Sequence, residues 1–157
     1  MDITDQPLAF YITWTIYGSH LQGHQIGWNK RGGGLQVAQP LLEAWHQERL
    51  NYSVELLNNK DRQTAADAID EICDFRGWKL WIANPRTNHV HVVVTAIGYS
   101  GDTVRDQMKA KCTRKLRAID ARFQDRPVWT RGGDWQCINS EDDLESCILY
   151  VRDAQDR

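Results

Sequence analysis

The run Asn88-His89-Val90-His91-Val92-Val93-Val94 constrains the fold more than any other stretch of this 157-residue chain. Its valines favour an extended strand, because branched side chains pack well on a pleated surface. Side chains alternate faces along a strand, so His89 and His91 share one side, close enough to meet at one ion. Val90 and Val92 then point the other way, into whatever core lies behind the sheet. Neutral imidazole is the commonest ligand for a catalytic divalent metal, and two on one rigid strand are already aligned for that work. The plainer alternative is a pair of half-exposed histidines on a polar sheet face.

Size and composition set the outer limits. The length suits a single domain over residues 1–157, with one sizeable core. A 41% hydrophobic and 25% charged content describes an ordinary globular protein. No apolar run approaches the roughly 18 residues of a membrane span, and Met1-Asp2-Ile3-Thr4-Asp5 lacks a basic-then-apolar signal pattern. Cys73, Cys112, Cys137 and Cys147 are scattered without a CxxC pair and read as buried free thiols, so a cytoplasmic setting is expected. The net charge of −2 does not advertise a nucleic-acid partner, but a local patch matters more than the sum.

Along the chain, Leu8–Tyr17 is rich in aromatic and branched residues and predicts a first strand ended by Gly18. Residues 18–40 form a long glycine-rich connection holding His20, His24 and Trp28. A short helix is expected from Leu41 to Asn51 after Pro40, and a second from Thr64 to Arg76, stopping at Gly77. Trp78–Ala83 is the next strand. Asn84-Pro85-Arg86-Thr87 is turn chemistry, so the histidine strand closes an antiparallel hairpin. A basic helix spans Asp102–Arg122. Val128-Trp129-Thr130 begins a last strand that breaks at Gly132-Gly133 and resumes through Ile138. Ser140 caps a final helix running from Glu141 to about Gln155.

This order predicts an α+β domain on a ferredoxin-like, split βαβ plan: four strands in one antiparallel sheet with helices packed on it. The histidines would then sit on a central strand. In the final helix Cys147, Ile148 and Val151 are core candidates, while Tyr150 lies on a different face, with Asp153 at i+3 and Gln155 at i+5. A helical tyrosine usually packs with its hydroxyl in water. Its functional reading is a phenolic nucleophile that attacks a phosphodiester when a metal neutralises the phosphate.

Several motifs in order resemble one family, the HUH single-tyrosine transposases, which include insertion-sequence and REP-associated tyrosine transposases. Tyr11–Leu21 followed by Gly27-Trp28 is similar to the family's opening strand and loop. Gly77-Trp78 with Asn88–Val94 is similar to its signature hairpin. Val128–Gly133 and Tyr150–Gln155 resemble its later strand and nucleophile helix, so the likeness covers nearly the whole chain. The resemblance implies metal-dependent cleavage and transfer of single-stranded or hairpin DNA through a 5′-phosphotyrosine on Tyr150. It implies Mg²⁺ or Mn²⁺ at His89 and His91, and no membrane partner. The family's third ligand is a Gln or Asn one turn after the tyrosine, where this chain has Ala154. Gln155 is the nearer chemical match if the last turn loosens, and Asp153 is the alternative. Because the missing amide weakens the match, a domesticated hairpin-binding module without turnover is the second reading. Family members can exchange the last helix, so Tyr150 is expected beside the histidines from its own chain or from a homodimer partner.

The basic helix fits a DNA partner. Arg105, Lys109, Lys111, Arg114, Lys115, Arg117 and Arg122 face only Asp106 and Asp120 between positions 105 and 122. Arg105, Lys109, Lys111, Arg114 and Lys115 are the expected backbone contacts, although such a run is commonly a solvated helix face. Trp28, Trp129 or Trp135 could stack bases beside loops.

Overall fold

Ala9–Thr15 buries alternate side chains and forms β1, the strand around which the sheet is laid. The computed structural model describes residues 6–19, 28–30, 34–36 and 51–156. Trp28–Lys30 (β2) and Gly34–Gln36 (β3) pair as a separate two-stranded antiparallel ribbon. Next come α1 (Asn59–Arg76), β4 (Lys79–Pro85), β5 (His89–Thr95) and α2 (Gly101–Ile119). A 3₁₀ turn (Ala121–Phe123), β6 (Asp134–Ile138) and α3 (Glu141–Arg152) complete the described elements. The main sheet runs β4-β5-β1-β6, every neighbour antiparallel. β1 and β4 are therefore parallel across β5, and β5 and β6 are parallel across β1. Each parallel pair is joined through a helix, which is the split βαβ plan, and the histidine strand is central as expected.

Both crossover helices lie on one face. Phe10, Ile12 and Trp14 of β1 and Val90, Val92 and Val94 of β5 pack there against Ala65 and Ile69 of α1 and Met108 and Leu116 of α2. Right-handed crossovers put both connections on the same side, so this core follows from the topology. The opposite face carries Ala9, Val93 and Ile138, covered by Leu144 and Val151 of α3.

Several boundaries differ from expectation. α1 starts five residues before Thr64, because Asn58 and Asp61 form a reciprocal capping box. Asp61 is then fully buried, where Arg122 pairs with it. Asn84 and Pro85 belong to β4, pairing with His91 and Val90, and the turn is confined to residues 86–88. The basic helix ends at Ile119, with residues 121–123 as a separate turn. Trp129 makes only an isolated bridge to Ile16, and the last strand begins at Asp134. Cys73 and Cys112 are buried as expected. Burial, reinforced by Asp70 and Asp74, pushes the Cys73 thiol up to about 12. Cys137 departs from that expectation: it is exposed on β6, the last strand of the sheet among the described residues. Apart from Asn51, the helix expected over residues 41–51 lies outside the described residues, as do His20 and His24. Among the described residues, no helix is long and apolar enough to cross a membrane.

Candidate functional site

The pleat of β5 carries His89 and His91 to the α3 face, with ring centroids 4.5 Å apart and planes nearly perpendicular. Both are almost fully buried, at 6% and 3% exposed. Each ring is oriented by a neighbour. The Nδ1 of His89 lies 2.5 Å from Oδ1 of Asn88. An amide oxygen only accepts, so in this contact the Nδ1–H of His89 donates. The Nδ1 of His91 lies 2.8 Å from the Tyr11 hydroxyl, and the Tyr11 ring stacks parallel to the imidazole at 6.0 Å. Thr13 and Thr15 of β1 stand opposite His91 and His89, and Asn84 of β4 stands on the other side of His91.

α3 brings the tyrosine. Ser140 accepts the Asp143 amide at 3.1 Å, and Glu141, Asp142 and Asp143 place negative charge in the first turn, where the helix dipole favours it. Leu144 and Val151 face the sheet, which leaves Tyr150 at the margin, 57% exposed. Its ring meets His91 edge-on at 6.2 Å and Tyr11 at 6.3 Å. α3 packs on β4 and β5 of its own chain, so the tyrosine reaches the histidines without helix exchange. Tyr150, His89, His91, Asp153 and Gln155 line one cavity of about 460 Å³.

The helix ends at Arg152, and Asp153 caps it with φ −94° and ψ 4°. Gln155 thus lies beyond the helix, on a tail that returns it to the histidine cavity. Its amide nitrogen donates to the Asp153 carbonyl at 3.2 Å. The Asp153 carboxylate accepts from Arg152 at 3.0 and 3.2 Å, and this pairing holds its carboxyl below the usual range. Among the described residues, no three His, Cys, Asp or Glu side chains converge as a metal cluster. The side chains lining the cavity thus offer two imidazoles, the Gln155 amide and the Asp153 carboxylate already engaged by Arg152.

The cations of α2 lie on the other face of the sheet and do not form one patch. Arg105, 12% exposed at its side chain, pairs with Asp102 and Asp106 at 3.0 Å and donates to the Gly133 carbonyl. Lys109 donates to the Thr130 and Gly132 carbonyls at 2.9 and 2.6 Å, and burial, helped by Arg105, lowers its pKa. Lys111 and Lys115 turn the opposite way, 3.9 and 3.3 Å from Glu71 of α1. Arg114 is exposed. Arg105 and Lys109 thus brace the turn before β6.

That turn holds a residue the sequence reading left without a role. Arg131 is exposed, just before Gly132 (φ 80°) and Gly133 (φ 132°). A Cβ at Gly133 would stand 2.7 Å from the Thr13 carbonyl, so only glycine lets the turn lie this close to β1. Arg131 borders a groove of about 500 Å³ that runs along β1 and β6 and opens onto His89 and His91. Tyr11, Thr13 and Gln136 form its floor. The signal in the sequence was the Thr-Arg-Gly-Gly step, a cation presented on a tight turn.

Other expectations sort themselves by position. Trp129 is buried edge-on against Trp14, and Trp135 packs toward Phe10 and Asp102 on the α2 side. The Trp28 side chain lies outside the described residues. Tyr17 accepts the Asn51 amide and Tyr99 packs on Trp78, both away from the cavity. Tyr11 is the second tyrosine at the site, and nothing local in the sequence distinguishes it.

No protein-family model matches the sequence, and no curated protein is similar to it at a significant level. Among the solved structures that share its architecture are two transposase structures. One is a REP-associated tyrosine transposase bound to a REP hairpin, with a TM-score of 0.55 and 11% identity; the match covers 93% of this chain and 65% of that one. The other is a presumptive transposase from Deinococcus radiodurans R1, with a TM-score of 0.54 and 11% identity; it covers 96% of this chain and 93% of that one. The chain shares its fold with these two proteins.

Proposed function

We propose that this chain is an HUH-type tyrosine transposase that cleaves and rejoins single-stranded or hairpin DNA with a divalent metal, Mg²⁺ or Mn²⁺. The observation that carries the reading is Tyr150 standing 6.2 Å from His91, in one cavity with both imidazoles of β5. The fold shared with two transposases, one of them bound to a hairpin, supports the same substrate class.

The donor set fits a metal. Asn88 sets His89 as an Nε2 donor, and a Tyr11 oxygen accepting from Nδ1–H does the same for His91. His89, His91 and the Gln155 amide oxygen would hold the ion, a nitrogen and oxygen donor set that suits Mn²⁺ or Mg²⁺. When bound there, the ion supplies Lewis-acid neutralisation of phosphate charge.

Tyr150 supplies the nucleophile. Its hydroxyl oxygen attacks phosphorus as the phenolic proton passes to solvent, an O–P bond to the DNA phosphate forms, and the P–O3′ bond breaks. The 3′ oxygen leaves and takes a proton, while the 5′ phosphate stays on the tyrosine. Attack by another 3′-hydroxyl reverses the step and restores Tyr150. The groove along β1 and β6 offers the strand a polar floor, and Arg131 offers a phosphate contact. Edge contact with Tyr11 and His91 limits how far the Tyr150 ring swings.

One observation favours the second reading, a hairpin-binding module without turnover: the amide sits at i+5 and off the helix. The separating experiment incubates the protein with single-stranded hairpins and Mn²⁺ or Mg²⁺ and looks for a covalent adduct. An adduct absent from Tyr150→Phe supports the transposase. Hairpin binding with no adduct under either metal supports the binding module.

A further inference from the structure

We propose that Asp156 is a positioning residue, clamping the tail after α3 to the turn before β5 and so holding Gln155 over the histidines. The inference rests on the metal reading above.

A regular helix would turn position i+5 about 140° away from Tyr150, at roughly 100° per residue. Gln155 nevertheless lines the histidine cavity, so something other than helical periodicity puts it there. The tail has two anchors. At its start the Val151 carbonyl accepts both the Asn84 side-chain amide at 2.7 Å and the Ala154 N–H at 3.2 Å. At its end one carboxylate oxygen of Asp156 accepts the Thr87 N–H at 2.9 Å and Nε of Arg86 at 3.1 Å. The other oxygen lies 3.8 Å from Arg62 of α1. Gln155 is held between these points.

The anchor at Thr87 is itself fixed. The Arg86 N–H donates to the His89 carbonyl at 2.7 Å, and the Thr87 carbonyl accepts the Leu57 N–H at 2.8 Å. Thr87 stands two residues before His89, so the clamp ties Gln155's neighbour to the strand that carries both imidazoles. A carboxylate accepting a backbone N–H and a guanidinium makes a directional, charge-assisted contact. Without it, a few residues past a helix end would spread over many conformers.

The test uses the full chain and Mn²⁺ alone. Calorimetry measures Mn²⁺ binding, and NMR hydrogen exchange follows the Thr87 amide. Asp156→Ala should raise the Mn²⁺ dissociation constant about tenfold, the usual scale for losing an outer support of a ligand. It should also speed Thr87 exchange. Asp156→Asn keeps an acceptor oxygen and should retain most of both properties. Because Asp156 acts through Gln155, the double variant with Gln155→Ala should bind no worse than Gln155→Ala alone. Additive losses, or unchanged Thr87 exchange in Asp156→Ala, would overturn the assignment. So would unchanged Mn²⁺ binding in Asp156→Ala when His91→Ala weakens it. Equal Mn²⁺ binding by wild type and His91→Ala is a different failure: it removes the metal reading itself, and the assignment with it.

Discussion

The two faces of the sheet are built differently. On one, Val90, Val92 and Val94 disappear beneath two long helices, and the polar groups at the margins are paired by caps and ion pairs. On the other, the same strand presents His89 and His91, and the 12-residue helix α3 packs on β4 and β5. Among the described residues, the half over β1 and β6 forms a groove. Buried imidazoles and an exposed tyrosine contribute less to stability than valines and leucines in the same places. One face thus holds the fold together, and the other carries the proposed site.

If that division is right, substitutions on the two faces should fail in different ways. The largest effect belongs to Tyr150→Phe. It should abolish the covalent DNA adduct, a loss on the order of 10⁴-fold or more, with thermal stability nearly unchanged. His91→Ala should do the same to cleavage while single-stranded DNA binding is largely kept. An adduct surviving in Tyr150→Phe would move the nucleophile, and Tyr11 is the tyrosine in position to take over.

Leu116→Ala tests the other face. Leu116 is fully buried between α2 and the sheet, so truncation should cost roughly 2–5 kcal/mol in urea unfolding. The cleavage rate per folded molecule should stay near wild type. A loss of activity larger than the loss of folded protein would show the faces to be coupled.

The next effect separates the two candidate third ligands. Gln155→Ala should raise the Mn²⁺ concentration for half-maximal cleavage roughly 10–100-fold. Asp153→Asn, whose carboxylate is already engaged by Arg152, should change it by less than about threefold. The reverse ranking would mean that Asp153 swings inward when metal binds.

Arg131→Ala should have the smallest effect. Losing one phosphate contact should weaken hairpin binding a few-fold and reduce the slope of log affinity against log salt by about 0.7. Lys115→Ala, beside Glu71 on the far face, should leave that slope unchanged. Equal slopes for the two variants would place the DNA path on α2 and not in the groove.

Much of this arrangement was legible before any coordinates. The alternating run 89–94 set the shared face of the histidines, the hairpin followed from the turn residues after Ala83, and Ser140 marked the start of α3. Boundaries were harder. Asn58 and Asp61 stand three positions apart in a stretch without an apolar pattern, so the start of α1 was misplaced. Pro85 reads as a turn residue, yet it sits in an edge strand, where its missing N–H costs no ladder bond.

What the sequence determined by itself is whatever depends on a short-range period or cap: the strand faces, the helix ends marked by Ser140 and Gly77, and the place of Tyr150 off the apolar stripe. The tertiary structure alone decided which groups meet. Tyr11 and His91 are 80 residues apart and touch only because β1 and β5 pair in one register. The cations of α2 went to the far face because a crossover helix must bury its apolar stripe against the sheet side its connection reaches. Gln155 came to the histidines because Asp156 found a turn nearly 70 residues upstream. Local periodicity sets which way a side chain points. Its neighbours there depend on long-range pairing and packing, which no window of a few residues contains.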